Sequence, residues 1–209
     1  LAPRARFAGL DEPGVLLVVS DASGHDGCGG WAHLGEGDRA PSVVSEAWPP
    51  WAREALRQFK LPAAQRAVGA PLLSMPAAET FGQWAVAQAY AESTGLIPTA
   101  ITAVGDCDPA AAAINAAASG RPQMRRLLRG ARELCSQWLA VSIPRECNLD
   151  ADRLSHPALL EEVRRDARAR GVETHVVPIP PRCWAVLRAA IAAEASTRQT
   201  RTARKRKAS

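Results

Sequence analysis

The sequence predicts an α/β fold in which helices flank a mixed five-stranded sheet. Three observations predict it. Strand-like segments come first along the chain, helical and strand-like segments then alternate, and the composition is that of a globular domain with a core. Of the 209 residues, 47% are hydrophobic and 22% are charged. Since some neighbouring strands are joined directly and others through helices, we expect both antiparallel and parallel pairs, with a helical extension at the C-terminus.

The first strands are marked by apolar runs and turn residues. Residues 15–19 form an apolar, largely β-branched run that ends at a polar segment, which predicts a buried strand and a turn. Residues 28–34 predict a second strand, and the Gly-His-Asp-Gly segment at 24–27 predicts a hairpin between the two. Prolines and tryptophans then interrupt the pattern. Within that stretch we expect a short helix at 51–60 and a third strand at 69–75.

Later elements alternate between helix and strand. Pro76 favours a first helical turn and Gly95 favours a helix end, so we expect a helix at 76–92. The other expected elements are a strand at 99–104, helices at 109–118 and 122–138, a strand at 139–143, a helical stretch after 148, a helix at 157–170, a strand at 173–178 and a helix at 182–196.

Basic residues are concentrated at the C-terminus. The net charge is +5, from 26 Lys and Arg against 21 Asp and Glu, and residues 198–209 hold six basic residues and no acidic one. We expect this segment to be a disordered, solvated tail, or to act as a nuclear-import signal or a nonspecific nucleic-acid contact. The other expected parts are an upstream fragment at 1–13, a main domain at 14–157 and an α/β extension at 158–197.

Several function classes are disfavoured by composition. No apolar run approaches the length of a membrane span, and no signal peptide is visible. The five cysteines include no C-x-x-C pair and the four histidines show no metal-ligand spacing, which disfavours a disulfide framework and a zinc site. We therefore expect no membrane partner and an intracellular location, nuclear or cytoplasmic.

Four acidic residues lie where an α/β sheet builds ligand sites. Asp21 and Asp106 each follow an expected strand, Glu79 lies in the expected first turn of the long helix, and Asp152 opens a later helix. If the two strands are parallel neighbours, these side chains converge beyond one edge of the sheet. Carboxylates packed together repel one another, and a pair of divalent cations removes that cost. Hard oxygen ligands suit Mg²⁺ or Mn²⁺, and two such ions suit the displacement of a phosphodiester.

These acids also have purely structural interpretations. An aspartate after a strand is commonly a turn or helix-capping residue, and a glutamate in a first turn stabilises the helix dipole. Nearby acids compete for two of the positions: Asp108 for Asp106, and Asp150 for Asp152. The prediction of a metal site depends on the four acids together.

The ordered set of acids resembles the RNase H type 1 domain, most closely the version carried by reverse-transcribing retroelements. The matching motifs are Ser20-Asp21-Ala22-Ser23, Gly30-Trp31-Ala32, Ala78-Glu79-Thr80, Val104-Gly105-Asp106, Ala112-Ala113-Ile114-Asn115 and the segment Ile143–His156. The last is the most specific, because a proline-containing turn leads to Asn148 and then to Ala151-Asp152-Arg153-Leu154-Ser155. A basic helix after a small-residue helix is also similar to tyrosine-recombinase (DIRS-like) elements. The resemblance covers roughly residues 14–157.

This resemblance implies a metal-dependent endonuclease that cleaves the RNA strand of RNA–DNA hybrids with two Mg²⁺ or Mn²⁺ ions. It implies that Asp21 bridges both ions, that Glu79 and Asp106 complete one site and that Asp152 holds the other. An RNA-cleaving enzyme must recognise the 2′-hydroxyls of the RNA strand through the minor groove. The implied partners are the hybrid and an upstream reverse transcriptase domain.

Further residues are implied to support the site or the substrate. Ser23 and Asn148 would order the surroundings of the metal ligands. Arginines of the basic helix would contact the phosphates of the other strand, unless they form only a solvated face. They are Arg121, Arg125, Arg126 and Arg129.

The chain departs from the family pattern at three places. Cys107 stands where such elements usually have Asn, His156 stands in place of Arg, and the segment 35–70 is longer than expected. The main alternative is therefore a catalytically degenerate RNase H-like module that binds nucleic acid or supports a polymerase domain. An exonuclease of the same superfamily, a retroviral-type integrase and a nonenzymatic scaffold fit the order of the acids less well.

Overall fold

The structure is a computed structural model that describes residues 14–35 and 40–208. The predicted upstream fragment at 1–13 lies outside the described residues. The strands are β1 (Val15–Ala22), β2 (Gly27–Leu34), β3 (Ser42–Ala47), β4 (Ala100–Gly105), β5 (Trp138–Ser142) and β6 (His175–Val176). The helices are α1 (Pro50–Lys60), α2 (Met75–Thr94), α3 (Asp108–Ala116), α4 (Pro122–Leu134), α5 (Leu149–Leu154), α6 (Leu160–Ala169) and α7 (Pro181–Ala208).

All six of these strands form one mixed sheet in the order β5-β4-β1-β2-β3-β6. Strands β1, β2 and β3 pair antiparallel, whereas β4 runs parallel to β1 and β5 runs parallel to β4. The two-residue strand β6 pairs parallel with β3 and extends the five-stranded sheet that we expected. The predicted α/β class, a mixed sheet flanked by helices with a C-terminal helix, is confirmed.

The hairpin of β1 and β2 is confirmed, and a glycine in β2 controls how closely a helix approaches it. A Cβ atom on Gly29 would collide with the carbonyl oxygen of Leu154 at the end of α5. The Ser45 hydroxyl of β3 donates to the same carbonyl oxygen at 2.6 Å. Because of these contacts, α5 lies directly against the sheet, which places its acidic residues near the end of β1.

Helix α2 is the central helix of the fold. Its residues from 77 to 91 are all buried, and many are alanines that let neighbouring elements pack closely. A Cβ atom on Gly130 of α4 would lie 2.8 Å from the indole ring of Trp84, so glycine is needed where α4 crosses α2. Gly95 ends α2 with a φ of 70°, a left-handed conformation that glycine adopts without strain.

Our prediction of a strand at 69–75 is wrong, because the third strand is β3 at Ser42–Ala47. Residues 70–74 carry no regular secondary structure, and α2 begins at Met75. The Leu73 amide donates to the Ala55 carbonyl of α1 at 3.1 Å, so this apolar segment packs on a helix and not in the sheet.

The C-terminal segment shares the main core. Four residues of α7 are buried there: Cys183, Leu187, Ala190 and Ile191. The helix continues through 198–208, where we expected a disordered tail. Ala, Arg and Lys are good helix formers, and no Gly or Pro follows Pro181. The domain boundary at 157/158 stays a prediction.

Candidate metal centre

Two of the four predicted acids lie at the carboxyl ends of adjacent parallel strands. Val19 of β1 is paired in register with Val104 of β4, so both strands end at the same edge of the sheet. Asp21 is the seventh residue of β1, and Asp106 directly follows β4. The parallel pairing that the metal-site prediction required is therefore present.

The third acid, Glu79, reaches this edge from helix α2. The helix begins at Met75, one residue earlier than predicted, so Glu79 lies in the second turn and not in the first. Its side chain is buried, with 5% exposure, and accepts a hydrogen bond from the backbone N–H of Ala22. Because it is buried beyond the first turn, stabilisation of the helix dipole does not explain it.

These three carboxylates converge. One oxygen each from Asp21, Glu79 and Asp106 can be chosen so that all lie within 4.8 Å of one another. The separation is short enough for a single cation to contact several of them, given oxygen-to-metal distances of about 2.0–2.6 Å for Mg²⁺ and Ca²⁺.

Asp152 lies beside this cluster but has a different partner. It is the fourth residue of α5, and its charge raises the pKa of Asp21, so the two carboxylates are close. Its Oδ1 atom accepts a hydrogen bond from Nη2 of Arg145 at 2.6 Å. The structure therefore joins three of the predicted acids and holds the fourth next to them in an ion pair.

Helix capping does not account for any of these four acids. The N-cap residue is Ser74 in α2, Cys107 in α3 and Asn148 in α5, and none of the three caps its helix through a side-chain hydrogen bond. Asp21 lies within a strand and is 5% exposed, so it is not a turn residue. Helix capping is thus unsupported for all four acids, and a turn role is unsupported for Asp21.

The two acids that compete with Asp106 and Asp152 in the sequence lie outside the cluster. Asp108 is exposed in the first turn of α3, and Asp150 is paired with Arg170 at 3.6 Å. Neither belongs to the group of converging carboxylates found among the described residues. The structure thus favours Asp106 over Asp108 as a member of the group. It favours Asp152 over Asp150 as a neighbour of the group, because the charge of Asp152 acts on Asp21.

The carboxylates of the cluster carry more negative charge than the positive groups around them compensate. Burial is the main factor that raises the pKa of Asp21, and the charges of Asp106 and Asp152 raise it further. Burial also raises the pKa of Glu79 well above its ordinary value, with the charges of Asp21 and Asp106 adding to it. Arg145 lowers both pKa values but does not cancel these effects. The protein alone does not stabilise the ionised cluster.

A divalent cation fits these residues. The Oε2 atom of Glu79 is buried and has no hydrogen-bond partner, which is costly for a carboxylate oxygen unless a ligand contacts it. All donors are carboxylate oxygens, the ligands that Mg²⁺ and Mn²⁺ prefer. Asp21, Glu79 and Asp106 are therefore the residues that would hold such an ion.

Among the two predicted supporting residues, Asn148 lies next to the site. It is 2% exposed, and its Nδ2 atom donates to the Ser20 carbonyl at 3.2 Å, which ties the start of α5 to β1. Ser23 instead orders the β1–β2 turn, where its hydroxyl accepts the amide N–H of Asp26 at 3.1 Å. Both residues fix backbone that carries or flanks the carboxylates.

Sequence reasoning missed two residues at the site. Arg145 is ion-paired to Asp152, and the buried Ser155 lies against Asp21 and lowers its pKa through a hydrogen bond. The Ser155 hydroxyl oxygen also lies 2.8 Å from the Asp152 carbonyl oxygen, so its single proton is available either to Asp21 or to that carbonyl. Both residues belong to the most specific sequence motif, which was the available signal, but their contacts depend on how the loop after β5 folds.

The predicted arginines lie along one exposed side of α4. Arg121, Arg125, Arg126 and Arg129 are all exposed, whereas Leu127 and its apolar neighbours face the core. Gln123 Oε1 lies 3.4 Å from the Ser74 amide, so the start of α4 lies beside the start of α2. A cavity of about 310 Å³ next to this point is lined by both Arg121 and Arg198 of α7. Helices α4 and α7 thus present basic side chains near one another.

A second and larger cavity, of about 610 Å³, lies between β5 and helices α3 and α4. Residues that line it include Ile101, Ile114, Leu128 and Trp138, and none of the four acids is among them. The metal centre is therefore distinct from this cavity.

Comparisons with known proteins identify no family for this chain, so the functional argument depends on the geometry of the site. No protein-family model and no curated protein matches the chain. One similar solved structure is RNase H1 from the halophilic archaeon Halobacterium salinarum NRC-1, with 21% identity and a TM-score of 0.42. The alignment covers 67% of this chain and 92% of that chain. A similarity this low says nothing about the roles of residues. Among the described residues, no helix has the length and apolar character to cross a membrane.

Proposed function

We propose that this chain is a metal-dependent endonuclease that cleaves the RNA strand of RNA–DNA hybrids. The observation that carries the proposal is the convergence of Asp21, Glu79 and Asp106 around a buried carboxylate oxygen that has no partner in the protein. The acids come from two parallel strands and a crossing helix, at the edge where α/β sheets bind ligands.

In the proposed site Asp21, Glu79 and Asp106 would hold one Mg²⁺ or Mn²⁺ ion, and Asp21 and Asp152 would hold a second. When bound, such a pair supplies stabilisation of the attacking and leaving oxygens of a phosphodiester displacement. The protein's own contribution is to fix the ligands. Burial of Asp21 and Glu79 keeps them rigid, and Asn148 ties the loop before Asp152 to the end of β1.

The proposed substrate is supported by the distribution of basic residues. Exposed Arg121 and Arg125 begin the basic side of α4, whose start lies beside the start of the helix that carries Glu79. Phosphate contacts from such side chains position a duplex without reading its sequence. Selection of the RNA strand then requires contact with its 2′-hydroxyls.

We further propose that the chain is part of a reverse-transcriptase-type retroelement protein, with an upstream polymerase domain. The support is the ordered sequence motifs, above all the segment from Ile143 to His156. An intracellular location, a main domain at 14–157 with an extension at 158–197, and a nucleic-acid role for 198–209 belong to the same proposal.

A second candidate function is a degenerate module that binds nucleic acid without cleaving it. The observation that favours it is the Arg145–Asp152 ion pair, which occupies a carboxylate that the two-metal site needs. Binding by the basic residues would survive in such a protein, whereas metal-dependent cleavage would not.

The two candidates are separated by a cleavage assay with a labelled RNA–DNA hybrid and either Mg²⁺ or Mn²⁺. We expect the wild-type chain to cut the RNA strand, and Asp106→Asn to reduce the rate at least about 100-fold, because it removes a metal ligand. Asp108→Asn, which neutralises an exposed acid two residues away, is the matched control and is expected to retain activity. Failure of the wild-type chain to cut with either ion would leave only the binding module. Equal cutting by Asp106→Asn would show that the cleavage does not come from this metal site and would overturn the proposed mechanism.

A further inference from the structure

Arg145 is placed where it acts on the whole acidic cluster. It lies in the short 3₁₀ turn Arg145–Cys147, between β5 and α5. Its Nη2 atom lies 2.6 Å from Asp152 Oδ1. The side chain of Arg145 is 71% exposed, whereas that of Asp152 is 25% exposed. The guanidinium therefore covers a half-buried carboxylate from the solvent side.

The charge of Arg145 also reaches the carboxylates beyond Asp152. It lowers the pKa values of Asp21 and Glu79, and its own pKa is raised by Asp152 first and by Asp21 and Asp106 to a lesser degree. It is thus a positive charge at the rim of the site, in contact with the one predicted metal ligand that lies outside the converging group.

We propose that Arg145 competes with a divalent cation for Asp152: it neutralises this carboxylate in the metal-free protein and must leave it when the cation binds. The inference rests on the proposed function, which assigns Asp152 to the second ion. A guanidinium held against Asp152 repels a cation at the same carboxylate and blocks one of its oxygens. Its exposed side chain has room to swing into solvent.

The chain offers a matched control on the same helix. Asp150, two residues before Asp152 on α5, is paired with Arg170 at 3.6 Å, and the side chains are 30% and 41% exposed. Removal of Arg170 changes the net charge by the same amount as removal of Arg145. Any effect specific to the metal site must therefore differ between the two variants.

The test is Mn²⁺ binding to the full chain, measured by isothermal titration calorimetry at constant ionic strength. For Arg145→Ala and Arg145→Gln we expect the weaker Mn²⁺ site to bind roughly three- to fivefold more tightly, the size of a partly exposed ion pair that no longer has to be broken. Arg145→Lys is expected to stay near the wild-type affinity because it keeps the charge. Arg170→Ala is expected to leave the affinity unchanged, and the gain is expected to vanish in an Asp152→Asn background.

Three results would overturn the inference. They are unchanged or weaker Mn²⁺ binding by both charge-removing variants of Arg145, an equal gain from Arg170→Ala, and no Mn²⁺ binding by any of the proteins. The readout is independent of cleavage. If the wild-type chain cuts hybrids while its Mn²⁺ affinity ignores Arg145, only this inference fails. If the gain in affinity appears without cleavage, only the nuclease proposal fails.

Discussion

Two aspartates five residues apart show what distinguishes the metal centre from an ordinary charged turn. Asp26, in the β1–β2 turn, is 43% exposed, and each of its oxygens has a histidine partner: Nδ1 of His25 at 2.9 Å and Nδ1 of His156 at 2.7 Å. These hydrogen bonds lower its pKa. Asp21 is 5% exposed, and burial raises its pKa.

The difference lies in where the partners of each carboxylate come from. At the turn, two histidines and the Ser23 hydroxyl satisfy the Asp26 carboxylate within the protein. At the sheet edge, the nearest groups to Asp21 include further acids, and Glu79 keeps an oxygen without a partner. A site that gathers acids and leaves them uncompensated depends on a cation from outside the chain.

Replacing Asp21 or Asp26 is expected to differ most in how strongly Mn²⁺ then stabilises the protein. Saturating Mn²⁺ is expected to stabilise the wild-type chain against thermal unfolding, by about 2.7 kcal/mol at a concentration of 100 times Kd. Asp21→Asn is expected to abolish this gain because it removes a ligand shared by both proposed ions. Asp26→Asn is expected to keep it.

The measurement is the unfolding temperature of each protein in EDTA and in Mn²⁺. Loss of the Mn²⁺ effect in Asp26→Asn, together with its retention in Asp21→Asn, would place the cation at the turn and contradict the account.

A smaller effect concerns how the metal-free stability of the two regions depends on pH. The pKa of Glu79 is raised above its ordinary value of 4.5, so its ionisation costs folding energy as the pH rises through the folded-state pKa. Glu79→Gln is therefore expected to stabilise the protein in EDTA by about 0.5–2 kcal/mol at high pH. This gain should disappear below about pH 4.5, where the wild-type side chain is protonated in both states.

Asp26 is expected to behave with the opposite sign. Since its pKa is lowered from 3.8, its contribution to stability is present above that value and is lost as the pH falls through the folded-state pKa. Asp26→Asn is thus expected to destabilise the protein at neutral pH, by no more than about 1 kcal/mol for so exposed a group. Denaturant unfolding across pH checks both signs, and a stabilised Asp26→Asn or a destabilised Glu79→Gln would reverse the contrast.

Much of the fold was predictable because its signals are local. The β-branched run of β1 and the segment from Pro76 to Gly95 specify a strand and a helix through their own residues. The convergence of Asp21 and Asp106 followed from one additional assumption, that β1 and β4 are parallel neighbours, which the structure confirms.

The errors come from contacts that no local pattern encodes. Strand β3 lies in a stretch rich in tryptophan and proline, and Glu46 at its end is held by the backbone N–H of Ile179, far along the chain. Leu72 and Leu73 have the apolar character of a strand but are buried against helices. The Arg145–Asp152 pair depends on the path of a loop, so its residues were visible in the motif but their pairing was not.

The aromatic residues show the same limit. Trp48 lies in the stretch where prolines and tryptophans interrupt the sequence pattern, and no local pattern shows what its side chain contacts. The structure buries it to 1% exposure against Phe81 and Trp184, with its indole N–H donating to the Ser23 carbonyl at 2.7 Å. Its role is to fix the β1–β2 turn to the core.

The central claim is that Asp21, Glu79 and Asp106 together hold a divalent cation. Anomalous diffraction from crystals of the full chain soaked in Mn²⁺ tests it most directly. We expect a Mn²⁺ peak within coordination distance of oxygens from all three carboxylates, including Oε2 of Glu79. Density for Mn²⁺ only at exposed acids such as Asp26, or none in crystals at saturating Mn²⁺, would contradict the account.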